Sequence, residues 1–179
     1  MINGKNVFEF GISGERLLMH KFNGLDEEKN IKALPERDRA EKHAYRNSEG
    51  FLYIPCDWIR GSIINSFVSR AGSKEKTKKK LEVSPRITVT PSEMSINQTQ
   101  YTIDKRGVPS GPLRGAVRDM CIRPLIEQWE TTGQIVTTLG TDTKDMKTML
   151  EIAGEDVGIG SNRVNGYGRF TVNSFKLVT

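Results

Sequence analysis

What most constrains this 179-residue chain is the order in which its apolar residues change period, from two to nearly four and back again. Residues 5–13 alternate, with Phe8, Phe10 and Ile12 on one side and Val7, Glu9 and Gly11 on the other, which predicts a strand of a half-covered sheet. Leu17 to Phe22 is a second extended piece that pairs with this strand or carries it past Gly14. Ile59, Ile63, Phe67 and Ala71 then recur every four residues, flanked by Ile64 and Val68, and predict a helix with one broad buried stripe. Asp57 is its expected N-cap and Gly72 its end. Alternation returns over 82–90 in Val83, Pro85, Ile87 and Val89, with Pro85 pointing to an edge or a bulge. Threonine-rich residues 129–139 predict another strand. Asp142 or Thr141 caps a second helix whose Met146, Met149, Leu150 and Ala153 read as core, closed by Gly154. Arg169–Val178 forms the last strand.

Strung together these elements read βαββαβ, which predicts an α+β fold. Its core is ferredoxin-like (RRM-like), an antiparallel sheet backed by two helices. A single domain over 1–179 is long enough for a real core without disulfide or metal. Two stretches fall outside the pattern and are expected as insertions, at about 23–50 and 91–123. The first is polar, with a short helix expected after Pro35, and is followed by a short strand at 51–54 that Pro55 stops. In the second, Tyr101, Ile103 and Val108 permit an extended arm, while Gly107, Pro109, Gly111, Pro112 and Gly115 forbid a long helix. Gly61 costs its helix about 1 kcal/mol relative to alanine, which suggests close approach of another backbone.

Composition narrows the function. Apolar residues make up 36% and charged residues 27%, the mark of a globular chain, and no apolar run approaches the length of a bilayer span. Met1 to Lys5 lead straight into a strand, so no signal peptide is expected. Cys56 and Cys121 match no metal or redox spacing and read as two reduced core thiols in a cytoplasmic protein, host cytoplasm included. No cofactor and no metal is expected. The formal charge is +5 and the pI about 9.2. Placement says more than size: Lys74, Lys76, Lys78, Lys79 and Lys80 crowd what reads as a loop, with Glu75 the lone acid. Lys105, Arg106, Arg114, Arg118 and Arg123 follow in the glycine- and proline-rich segment. Such clusters are a footprint of phosphate-backbone binding.

Residues 158–170, GIGSNRVNGYGRF, hold the most information. The stretch precedes a strand instead of opening a helix, and Arg163 stands where a dinucleotide fingerprint needs its third glycine, so a Rossmann site is rejected. A P-loop is rejected for want of its Gly-Lys-Ser/Thr ending. Both a phosphate-contacting loop and a plain connection fit this stretch taken alone. His20 and His43 have no acid at triad or zincin spacing.

Tyr53-Ile54-Pro55-Cys56-Asp57-Trp58-Ile59-Arg60-Gly61-Ser62 resembles the "IPGSSLKG" helix opening of the RAMP superfamily, the RNA-binding backbone subunits of CRISPR effector complexes. Gly158 to Phe170 resembles the C-terminal glycine-rich loop of the same superfamily. A closer resemblance is to phage-encoded RAMP-like proteins. It is carried by Leu17-Leu18-Met19-His20, Tyr45-Arg46 through Pro55, Arg123-Pro124 with Trp129, and Ala153-Gly154 through Phe170. Cys56 departs from the pattern, replacing the glycine after the proline. The resemblance implies a ferredoxin-like core that binds single strands, often lining up with copies of itself, and implies no activity for the phage branch. Some RAMP relatives cleave RNA with a histidine or a loop aspartate. His20, with Asp104 or Asp119 as acid, is the corresponding candidate, although His20 reads better as a structural hydrogen-bonded residue.

The expectation is a non-catalytic single-stranded nucleic-acid-binding protein that forms homo-oligomers, with single-stranded DNA favoured by the phage resemblance. Its candidate contacts are Arg60, the lysines of 74–80, Arg106, Arg114, Arg118, Arg163, Tyr167 and Arg169. Arg163 would supply charge and Tyr167 a stacking face. The alternatives are a CRISPR-type RNA-binding subunit, a RAMP ribonuclease, and a self-assembling scaffold.

Overall fold

Strand β1 (Asn6–Leu18) is the axis of the fold, hydrogen-bonded on both sides. In the computed structural model, which describes residues 5–69, 73–110 and 117–178, β1 carries Phe8, Phe10 and Ile12 into the core, all but fully buried. It is one continuous strand through Leu18, so the two extended pieces of the sequence are joined past Gly14.

Helices α1 (Leu25–Ile31) and α2 (Glu36–Lys42) occupy the polar excursion. The helix after Pro35 matches the sequence signal. Helix α1 has no such signal, because only Ile31 of its seven residues is buried. Strand β2 (Tyr53–Pro55) leads directly into α3 (Cys56–Ser69). Asp57 therefore lies in the first turn, where its carboxylate opposes the positive end of the helix dipole, instead of preceding the helix as a cap. Ile59, Ile63, Ile64 and Val68 form the buried stripe. The tight approach expected at Gly61 is absent, since a Cβ built there meets nothing within 4 Å.

The lysine-rich segment is not a loop. It is helix α4 (Ser73–Val83), because lysine and glutamate are good helix formers and the run holds no glycine or proline. A 3₁₀ turn at Ser84–Arg86 takes up Pro85, and β3 (Ile87–Thr90) is shorter than the alternation promised.

The described parts of 91–123 contribute strands to two sheets and are not an inserted arm. After the short β4 (Glu93–Ser95), which pairs with β2, come β5 (Thr102–Ser110) and β6 (Val117–Thr137), antiparallel from Thr102↔Leu125 to Ser110↔Val117. At 21 residues β6 begins far earlier than the strand read at 129–139. Its first half pairs with β5 and its second half with β1 and β3. Pro109 and Pro124 obscure this in the sequence. On β5 Pro109 stands in a strand that, among the described residues, pairs with β6 alone, a position proline tolerates.

Helix α5 (Thr143–Ile152) starts where expected, the Asp142 carboxylate accepting from the Asp145 N–H at 2.7 Å. A π turn over Ala153–Val157 carries the chain into the glycine loop, and β7 (Phe170–Val178) closes the sheet against β1. The main sheet runs β3-β6-β1-β7, all antiparallel, with β5 added to β6. Helices α3 and α5 pack together, and the Ser62 and Ser66 hydroxyls donate to the Ala153 and Met149 carbonyls, both at 3.0 Å. Cys56 and Cys121 are free thiols but half-buried, not core. No helix among the described residues is long and apolar enough to cross a membrane.

Candidate nucleic-acid interface

The glycine loop is a shaped turn. Gly158, Gly160, Asn162, Gly166 and Gly168 all have positive φ, between 62° and 80°. Several of its N–H groups are spent within the protein: Ile159 on the Gly168 carbonyl (2.9 Å), Ser161 on the Leu18 carbonyl (2.9 Å) and Gly168 on the Arg16 carbonyl (3.1 Å). The loop is thereby laced to the end of β1. A short 3₁₀ turn, Arg163–Asn165, projects from it with Arg163 exposed and Val164 97% exposed.

Beneath the turn lies a buried charge network. Asp104 on β5 accepts from Arg106, two residues along the strand, and from Arg123 on β6 at 3.2 Å. Arg123 is 5% exposed and also donates to the Ser161 hydroxyl at 2.9 Å, joining the hairpin to the glycine loop. Arg106 donates to the Tyr167 hydroxyl at 2.7 Å. Two guanidinium groups cover the Tyr167 ring, Arg16 at 4.1 Å and Arg106 at 4.9 Å from its centroid. The Asp104 carboxylate, then the Tyr167 hydroxyl, holds Arg106 more firmly protonated than usual. The bond from Arg106 draws the Tyr167 pKa down. Three guanidinium groups thus gather around one carboxylate and one phenol, a local excess of positive charge.

Arg16 also lines an open cleft of about 970 Å³ between β1, β6, β7 and the β4–β5 connection. Arg169, Trp129, Asn97, Gln98 and Gln128 face it together with Glu15, Glu130 and Glu155. Trp129 Nε1 and Arg169 Nη1, both buried, lack hydrogen-bond partners.

The expected contacts divide accordingly. Arg106, Arg163, Tyr167 and Arg169 come together around the glycine loop. Tyr167 is 6% exposed beneath its two arginines, so it holds the network together and offers no open ring. Arg60 points elsewhere, donating to the Ile87 carbonyl (2.9 Å) and the Ser84 carbonyl (2.6 Å) and thereby pinning β3 to α3. Lys76, Lys78, Lys79 and Lys80 are exposed on α4. Arg114 lies outside the described residues, as do the side chains of Lys74 and Arg118. Sequence reasoning missed Arg16 and Asp104 as members of this network. Arg16 has φ 54°, and only the fold brings it over a ring 151 positions away. His20 lies against His43, with ring centroids 4.6 Å apart and planes inclined by 55°.

No family model matches the chain, and no curated protein matches it. Solved structures do. The chain is similar to one in the cryo-EM structure of the type III-B Cmr-beta bound to cognate target RNA. The identity is 11% and the TM-score 0.61, covering 98% of this chain and 61% of that one. It is also similar to the crystal structure of Cmr6 from Pyrococcus furiosus, at 12% identity and a TM-score of 0.50, covering 96% of this chain and 99% of that one. The chain spans about three fifths of the length of the first of these. At such identities the likeness is one of fold: a mixed α+β architecture with an antiparallel sheet, shared with type III-B Cmr proteins.

Proposed function

We propose that this protein binds the backbone of a single-stranded nucleic acid along the glycine loop and the arginines beneath it, without cutting the strand. The observation that carries the reading is the cation excess there: Arg106 and Arg123 share one Asp104, Arg16 lies over the Tyr167 ring, and Arg163 is exposed on the loop. A phosphate is the partner such an excess suits. The strand order β3-β6-β1-β7, backed by α3 and α5, supports reading the core as a ferredoxin-like βαββαβ unit of RAMP type. On that reading the fold likeness to a chain whose structure holds target RNA favours RNA over the single-stranded DNA suggested by the phage resemblance. The amides of Asn97, Gln98 and Gln128 in the adjoining cleft suit base edges better than phosphates.

Fluorescence anisotropy with end-labelled RNA, DNA and duplex of matched length tests the reading. Single strands bind more tightly than duplex. Log affinity falls with log salt by about 0.7 for each phosphate neutralised. The double variant Arg16→Ala/Arg163→Ala keeps the Asp104 network and binds more weakly by about 2–4 kcal/mol, the worth of two charge-assisted hydrogen bonds. Affinity flat in salt, tighter duplex binding, or wild-type affinity in the folded double variant overturns it. Shortened RNA in the same tubes would establish the ribonuclease alternative.

A further inference from the structure

The chain has two histidines in 179 residues, and the fold brings both to one place. His20 follows β1, and His43 caps the C-terminal end of α2 within the polar excursion. Glu28 of α1 turns toward them, its Oε2 lying 3.9 Å from His43 Nε2. One ligand atom from each of His20, Glu28 and His43 lies within 4.8 Å of the other two. We infer that these three side chains form a binding site for a divalent transition metal of the zinc class, which clamps the α1–α2 excursion to the end of β1.

Three observations carry this. Two imidazoles and one carboxylate are a borderline-soft nitrogen and oxygen donor set, suited to zinc and its neighbours and poorly suited to magnesium or calcium. Two of the three ligands are also oriented from outside. His43 Nδ1 lies 3.0 Å from the Lys21 carbonyl, which can only accept, so Nδ1 donates there and Nε2 is the ring nitrogen turned toward Glu28. Glu28 is held by its other oxygen, Oε1 accepting from the Asn23 N–H at 3.1 Å, while Asn23 Nδ2 donates to the Lys42 carbonyl at 3.0 Å. That leaves Oε2 for the shared centre. The site is sheltered as well: the His43 side chain is 8% exposed and that of Glu28 21%.

Ligand atoms around a tetrahedral ion with bonds of about 2.0–2.2 Å are roughly 3.3–3.5 Å apart, so the three need to draw in by about an ångström or less. A protein ligand set of three leaves a fourth position for water. Neither histidine has an acid at zincin spacing, which is why the sequence alone predicts no metal. Glu28 comes from between them and reaches the site only through the fold of α1 onto α2.

The test uses the full chain, stripped with chelator and dialysed, then titrated with Co²⁺ and Zn²⁺ and, as a control, Mg²⁺. One equivalent of Co²⁺ gives the intense visible absorption of a four-coordinate site, and Zn²⁺ displaces it. At a hundredfold excess over Kd, Zn²⁺ raises the melting temperature by about 5–10 °C and Mg²⁺ does not. His20→Ala and Glu28→Gln, checked for folding by circular dichroism, abolish both signals; if His20→Ala does not fold, Glu28→Gln carries the test. Absence of the cobalt absorption and of the melting shift in the wild-type chain overturns the inference. So do an equal response to Mg²⁺, undiminished binding in the folded variants, or a thiolate charge-transfer band pointing to Cys56 or Cys121.

Discussion

At the scale of single residues, two glycines show how differently the same residue type is used. A Cβ at Gly168 would lie 1.9 Å from the Ile159 carbonyl oxygen, and the residue has φ +68°. Its N–H reaches the Arg16 carbonyl while its own carbonyl accepts from Ile159, so it cannot shift without unlacing the loop. Gly61 has open space at its Cβ position and sits within α3. Alanine at Gly61 is expected to stabilise the protein by about 0.5–1 kcal/mol, raising its melting temperature by a few degrees. Alanine at Gly168 is expected to destabilise it by several kcal/mol, through backbone strain added to a clash that no rotamer relieves. Denaturant melts of the two variants decide the matter; a destabilising Gly61→Ala would mean that something does pack against this turn of α3. The sequence assigns a reason to Gly61 and leaves Gly168 as one residue of a glycine-rich stretch. Only the backbone geometry says that Gly168 has one and Gly61 does not.

At the scale of elements, α4 and the β5–β6 hairpin are where composition misleads. A run of lysines suggests a solvated loop, yet lysine costs little in a helix, and α4 needs only its junction with α3 and the following 3₁₀ turn for support. The consequence is a cationic helix in place of a solvated loop. Changing Lys76, Lys78, Lys79 and Lys80 together to glutamine preserves the helix, since glutamine has nearly the same propensity and adds no like-charge pairs. It is expected to weaken single-strand binding and to make the salt dependence shallower by about 0.7 for each phosphate that is no longer neutralised. Unchanged affinity and slope would confine the strand to the glycine loop. The hairpin errs the other way. Glycines and prolines in 102–124 hide a ladder whose stability comes from cross-strand pairing, which no local window contains.

At the scale of the whole molecule, the excursion at 23–50 is committed within its own chain. Lys32 pairs with Asp119 at 2.8 Å, Lys105 with Glu36, and Arg39 donates to the Met120 carbonyl at 2.7 Å, so α1 and α2 lie against the hairpin. Among the described residues, the apolar side chains left exposed include Val164, Leu81 and Phe22. Native mass measurement on strands of increasing length is expected to show copies added one at a time at a fixed nucleotide spacing. A constant single copy on long strands would show that the protein binds alone.

What the sequence determined by itself is what local chemistry controls. The strand of Phe8, Phe10 and Ile12, the stripes of α3 and α5, the Asp142 cap and the left-handed turns of the glycine loop all follow from side-chain period or backbone freedom within a dozen residues. What the tertiary structure decided depends on groups far apart in the chain. Asp104 lies between arginines on two strands, Arg16 reaches over Tyr167, and the end of β1 meets the end of α2 at His20 and His43. Charged and aromatic groups of this kind have no period to betray them. Their partners are set by strand register and by the packing of the polar excursion, and both exist only once the sheet has formed.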